Sequence, residues 1–415
     1  MRYDLKQTIL HTKEYTLAFV RWLALSLIVG ISGGLFGTLF AKTLSFVTQF
    51  RLSHSWLIFL LPLGGLISVA VYKYCRVTGI GTDDVFESVR SEKSVPPLLA
   101  PAVFIGSAIT HLLGGSAGRE GAALQLGGSI SSALSKLLHL DEKARHILTM
   151  CGMGAFFSAL FGTPLGAAVF AIEVVSVGSF CSAALFPGIV SSVTAYSIAI
   201  SLGVHPERFF ISSAPELSLD IIWRVGLIAV VGAIVSIAFC HLMHYTEGLF
   251  KKLFKNGFIR IFIGGLAVVV ITLLLNTTDY NGGGIEVINR IFTDGDVKYE
   301  AFLIKMILTA ITIGAGYKGG EIVPTLFIGA TLGGAMAILI GLNPAFGAAI
   351  GMAALFSGVT NCPLATIFLC IEMFSGKGLI FIAIAVAISF LLSDYCSLYS
   401  KQTFMFSKLN EATYK

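Results

Sequence analysis

Glu120 is a carboxylate set among small residues, Gly114-Gly115-Ser116-Ala117-Gly118-Arg119-Glu120-Gly121, with apolar sequence on both sides. Two further stretches have the same character, Thr78-Gly79-Ile80-Gly81-Thr82-Asp83 and Gly314 to Pro324. An apolar run of helical type follows each of them. Each break is therefore expected to place a helix start, with free N–H groups and the positive end of its dipole, in apolar surroundings. Several such ends converging on one point hold an anion without a full positive charge. A site without lysine also lets its ion leave again. A carboxylate at such a place is costly and by default functional. Glu120 suits the part of a tethered substitute for a free anion, displaced when it takes up a proton.

The elements that must carry these breaks cannot have water as their solvent. Of 415 residues, 55% are hydrophobic and 12% charged, against roughly 25% charged in a soluble domain. Apolar runs recur along the chain, at Phe19 to Val47, Trp56 to Val71, Ile221 to Phe239, Ile259 to Leu275 and Leu379 to Leu392. Several approach or exceed the ~20 residues that cross a hydrocarbon core, so a multi-pass protein of the cell membrane is expected. Irregular backbone at membrane depth is tolerated where it is enclosed by protein or lines a cavity, which makes the glycine-rich breaks candidate linings of a path. Basic residues gather at the termini (Arg2, Lys6, Lys13, Lys401, Lys408, Lys415) and between Lys251 and Arg260, so both ends are expected on the cytoplasmic side. The net charge of +5 includes no basic run of the kind that binds nucleic acid. Seven cysteines have no metal-ligand spacing and are read as buried free thiols.

The chain also repeats itself. Ala155 to Ser158, Pro164-Leu165 and Ile172-Glu173 match Ala354 to Ser357, Pro363-Leu364 and Ile371-Glu372 at an offset of 199, and Gly118-Arg119-Glu120 matches Gly319-Gly320-Glu321 at 201. Gly79 to Gly81 has a looser counterpart in Gly282 to Gly284. Two membrane halves, residues 1–210 and 211–415 with no soluble domain, are expected, with the substrate between them near the midplane. The symmetry of Glu173 and Glu372 favours a structural role repeated in both halves.

No H-E-x-x-H occurs, His111 and His146 have no partner at useful spacing, and Gly114 to Gly121 lacks the G-K-[ST] ending of a phosphate loop. Neither an enzyme nor a cofactor is expected. Taken together, these residues resemble the CLC family of chloride channels and proton-coupled chloride exchangers, in the form without regulatory domains. Gly118-Arg119-Glu120-Gly121 is similar to the family's G-R-E-G-P, with Ala122 in place of proline; Gly320 to Pro324 and Leu398-Tyr399-Ser400 are similar to two further family segments.

The resemblance implies an all-α polytopic fold of two inverted repeats with tilted, partly broken helices, and a homodimer with one pore per subunit. Glu120 is then the gating glutamate. Arg119 and Gly121 supply amides to an outer ion, Glu321 and Ile322 amides to a central one, and Thr78 and Tyr399 hydroxyls to that same ion, with Gly79 and Ile80 completing the first motif. Val77-Thr78-Gly79-Ile80-Gly81 stands where the family usually has G-S-G-I-P. Val174 stands where many exchangers carry an inner proton-relay glutamate, so any proton path is expected to use Glu173 or Glu321. Chloride is the expected cargo. Fluoride/proton antiport is the alternative, since the fluoride members also lack that inner glutamate.

Overall fold

The computed structural model describes residues 5–211, 214–405 and 407–408, with side chains from Lys13 onward. Arg2 and Lys415, part of the terminal basic pattern, lie outside them, as does the Lys6 side chain.

The apolar runs become helices whose bounds follow local chemistry. The first eight are α1 (Leu5–Ser53), α2 (Leu61–Tyr74), α3 (Thr82–Ser88), α4 (Leu99–Leu112), α5 (Glu120–Leu137), α6 (Glu142–Phe161), α7 (Pro164–Glu173) and α8 (Leu185–Ser201). The next eight are α9 (Leu219–Leu253), α10 (Gly257–Leu275), α11 (Ile285–Asp294), α12 (Ala301–Gly314), α13 (Ile322–Leu339), α14 (Pro344–Thr360), α15 (Pro363–Phe374) and α16 (Leu379–Leu392). Proline opens α7, α14 and α15 at the first turn, where its missing N–H costs nothing. Asn343 caps α14 by accepting from the amides of Ala345 and Phe346. Among the described residues, seven helical stretches are long and apolar enough to cross a membrane; α16, with 14 residues, is among the shorter apolar helices. The fold is all-α and polytopic.

Small residues set the packing at the centre. A Cβ added to Gly127 would lie 2.1 Å from the Gly152 carbonyl oxygen, and one on Gly333 2.2 Å from that of Gly347. Thus α5 meets α6, and α13 meets α14, nearly backbone to backbone, the close approach on which membrane helices without a hydrophobic driving force rely.

The directions of the helices define two faces. A Cβ on Gly64, early in α2, would meet Leu113, just past the end of α4, at 2.1 Å. Arg51, at the end of α1, lies over Gly114 and Gly282. From there α2 runs to the other face, which carries Thr78 and α3. The C-terminal segment joins α3 on that face, where Lys401 reaches Asp84 and Glu87, both at 2.6 Å. A two-residue parallel pairing of β1 (Ser176–Val177) with β2 (Thr403–Phe404) fastens the same segment from the other side.

Candidate functional site

The loops before α5 and α13 meet head to head. Gly118 N–H donates to the Gly320 carbonyl at 2.6 Å, and Gly320 N–H returns a bond to Gly118 at 2.7 Å. Irregular backbone deep in the protein thus satisfies its own polar groups. The fit excludes side chains: a Cβ on Gly320 would lie 2.4 Å from the Gly121 nitrogen, and one on Gly121 2.9 Å from the Gly320 Cα. From this crossing the helices diverge. Gln125, five residues into α5 and so about 7.5 Å along it, donates to Thr82 of α3 at 2.9 Å. Val323 and Phe327 of α13 instead pack on Gly283 and Gly284, in the loop under Arg51.

Glu120 is fully buried at the first position of α5. Its carboxylate bends back over its own helix start: Arg119 N–H donates to Oε2 at 3.0 Å, and Arg119 Nε to Oε1 at 3.3 Å. One backbone donor of the helix start, the Arg119 N–H, is therefore occupied by a carboxylate from the same helix. Arg119 also reaches Glu207 at 2.6 Å and the Leu160 carbonyl at 3.3 Å. The segment between α8 and α9, which carries Pro206 and Glu207, thus folds back on the site. No motif marks Glu207 for this contact.

Glu321 precedes α13 as Glu120 opens α5, and is likewise buried. Tyr399 lies beside it, with its ring edge-on to Phe86 of α3 at 4.9 Å. The buried Tyr399 hydroxyl has no hydrogen-bond partner of good geometry. Asp83 fixes the neighbouring backbone by accepting from the amide of Ser400 at 3.1 Å and from its hydroxyl. Ile322 is buried at the first position of α13.

The first motif differs from its expectation in one respect. Thr78 and Gly79 are exposed in the turn before α3, Gly79 at φ +84°, while Ile80 packs on the core. The hydroxyl tied to α5 is that of Thr82, and the Gly81 N–H is already taken by Asp84 Oδ2 at 2.8 Å. Two of the three helix starts therefore hold a carboxylate of their own.

Glu173 closes α7 and spends both oxygens on the start of α15, accepting from Leu364 at 3.2 Å and Ala365 at 2.7 Å. Glu372 does the same for α7 through Leu165 at 3.0 Å and Gly166 at 2.8 Å. The pair forms a reciprocal cap. Of the cysteines, Cys151, Cys240, Cys362 and Cys370 are buried, Cys75 and Cys396 are half-buried, and Cys181 is exposed, which corrects the expectation that all are buried. Its place in the link between β1 and α8 explains the difference.

A profile of the family described as "Voltage gated chloride channel" matches residues 63–394. A "Chloride/fluoride channel protein" of Pseudomonas syringae pv. tomato is 33% identical over 94% of this chain and 87% of its own length. The "H(+)/Cl(-) exchange transporter ClcA" of Vibrio cholerae is 27% identical over 86% of this chain and 83% of its own. Among solved structures, a CLC-type fluoride/proton antiporter superposes with TM-score 0.90 at 34% identity, over 93% of this chain and 98% of that one.

Proposed function

We propose, for a chain that belongs to the voltage gated chloride channel family, that it exchanges a small halide for protons across a membrane, with Glu120 as the group that both gates and carries the proton. The observation that carries this is the buried Glu120 carboxylate folded back onto the Arg119 N–H at its own helix start. An ionised Glu120 and a free halide compete for the same donors, and proton uptake by Glu120 gives them to the halide. Arg119 and Gly121 then offer amides to the outer ion, and Glu321 and Ile322 to the central one. The Tyr399 hydroxyl, buried beside Glu321, supplies a further donor, with Thr78, Gly79 and Ile80 at the mouth beyond. Glu321 is the favoured second proton carrier, because Glu173 has both oxygens engaged.

Fluoride is the favoured halide, because the likeness to the fluoride/proton antiporter, TM-score 0.90 at 34% identity, exceeds that to the chloride exchanger at 27%. Chloride is the second reading. It is favoured by the Thr78 hydroxyl, where the fluoride members tend to carry methionine or asparagine.

The division into halves 1–210 and 211–415 is supported by the matched order of α1–α8 and α9–α16 and by the reciprocal caps. A cell-membrane homodimer with both termini in the cytoplasm completes the reading.

The test is reconstitution in liposomes with a fluoride or chloride gradient, reading internal pH and external halide. Fluoride efflux that drives protons inward is expected. Halide loss without proton movement while potassium is shunted would make the protein a channel, and a potassium leak without halide would remove the anion reading altogether.

A further inference from the structure

On the Arg51 face, reaching Arg119 next to Glu120 in the chain, lies a cavity of about 320 Å³ whose wall includes Arg51, His111, Arg119, Glu207, Asn281 and Glu286. At ~30 Å³ per water it has room for roughly ten, enough for a hydrated halide. Most charges around it are satisfied by protein. Arg119 is bonded to Glu120 and Glu207, and Asp279 to Arg290 at 2.9 Å and Lys298 at 3.1 Å.

Arg51 is the exception. Its Nη1 is buried with no hydrogen-bond partner, and no carboxylate comes within ion-pair distance of it among the described residues. Its guanidinium lies along the glycine loop, 3.1 Å from where a Cβ on Gly282 would sit. The same loop is held from below by a second cation. Lys305 is fully buried and donates to the carbonyls of Tyr280 at 3.0 Å and Gly282 at 2.6 Å. Glu286 stands exposed at the rim. Arg51 as a whole is half-buried and lines this cavity, and a guanidinium with no carboxylate at ion-pair distance is costly in such surroundings unless something of opposite charge meets it.

We propose that this cavity is a separate anion-receiving site in which Arg51 holds the transported halide before it displaces Glu120 and after it leaves. This rests on the anion-transport reading above. Because Arg51 is a fork on a stem outside the narrow crossing, it raises the local halide concentration without trapping the ion at the gate.

Initial halide uptake is measured over a range of external concentrations, first for wild type, whose failure to move halide would sink the transport reading itself. For Arg51→Gln the half-saturating concentration is expected to rise about threefold or more with the maximal rate retained, and Arg51→Lys should stay near wild type. Glu286→Gln, at an exposed rim position, should shift half-saturation the opposite way. The proposal is overturned if Arg51→Gln lowers the maximal rate at unchanged half-saturation, as a mere prop for the loop would. It is overturned equally if Arg51→Gln does not fold and Glu286→Gln leaves half-saturation where it was.

Discussion

At the scale of single residues the site turns on carboxylates that fill helix starts. Glu120 does so at α5 and Asp84 at α3, each accepting from backbone N–H groups, the interaction in which negative charge is best placed. If Glu120 is the gate, neutral Glu120→Gln keeps the shape and loses the charge that competes with a halide. The expected outcome is halide flux of similar size at about pH 4.5, near the midpoint of ordinary glutamate titration, and at about pH 7.5, well above it, with proton movement reduced to background. A mutant that keeps the wild-type pH dependence would move the gate to Glu321. Glu120 was legible in the sequence because a carboxylate within a glycine-rich break has few ordinary explanations. Glu207 and Arg51 were not, because neither sits in a motif. The partner of Glu207 is 88 residues away, and the significance of Arg51 lies in a bond it does not make.

Helices and loops fix where those residues act. The crossing of Gly118 with Gly320 leaves no room for a methyl group, so Gly320→Ala, whose Cβ would lie 2.4 Å from the Gly121 nitrogen, is expected to cost about 1–3 kcal/mol and to abolish transport. Thermal unfolding in detergent and halide efflux check the two parts. On the opposite face α3 is clamped to the Tyr399 segment: Lys401 bonds Asp84 and Glu87, and Arg90 bonds Thr403 and the Lys401 carbonyl. Hydrogen bonds from Lys401, and then from Lys93, hold the Glu87 carboxyl down at about 2. Asp84 and Glu87 in turn raise the Lys401 ammonium. A carboxyl held below its unfolded value contributes fully above that value and loses its contribution only as pH falls toward the folded one. The clamp is therefore intact between about pH 5 and about pH 8, and pH dependence of transport in that window arises elsewhere. Lys401→Met should speed amide hydrogen exchange in residues 399–405 and leave the shape of the pH profile unchanged; a displaced profile would assign the titration to the clamp. The 199-residue offset already paired Glu173 with Glu372. That each caps the other's helix needed the antiparallel placement of α7 and α15, which offsets along the chain do not encode.

For the whole molecule, one chain supplies α3, α5, α13 and the Tyr399 segment, every part from which the proposed path is built. In the proposed homodimer a second subunit would therefore add a second path rather than the missing half of the first. Composition made the membrane class legible, and ordered repeats pointed to two halves. Sequence could not show that α5 and α13 run from one crossing toward opposite faces, since that depends on contacts such as Gln125 with Thr82 and Val323 with Gly283. Independence of paths has a measurable consequence. Wild-type and Glu120→Gln chains carrying different affinity tags are co-expressed, and the mixed species is isolated on both tags and reconstituted. Its proton flux should equal the mean of the two pure forms, because the wild-type chain keeps its own Glu120, Glu321 and Tyr399. Its halide flux should likewise be the sum of one pH-dependent and one pH-independent path. If one mutant chain instead removed proton movement from the pair, or gave both paths the mutant's pH dependence, the ion path would have to run through the contact between subunits.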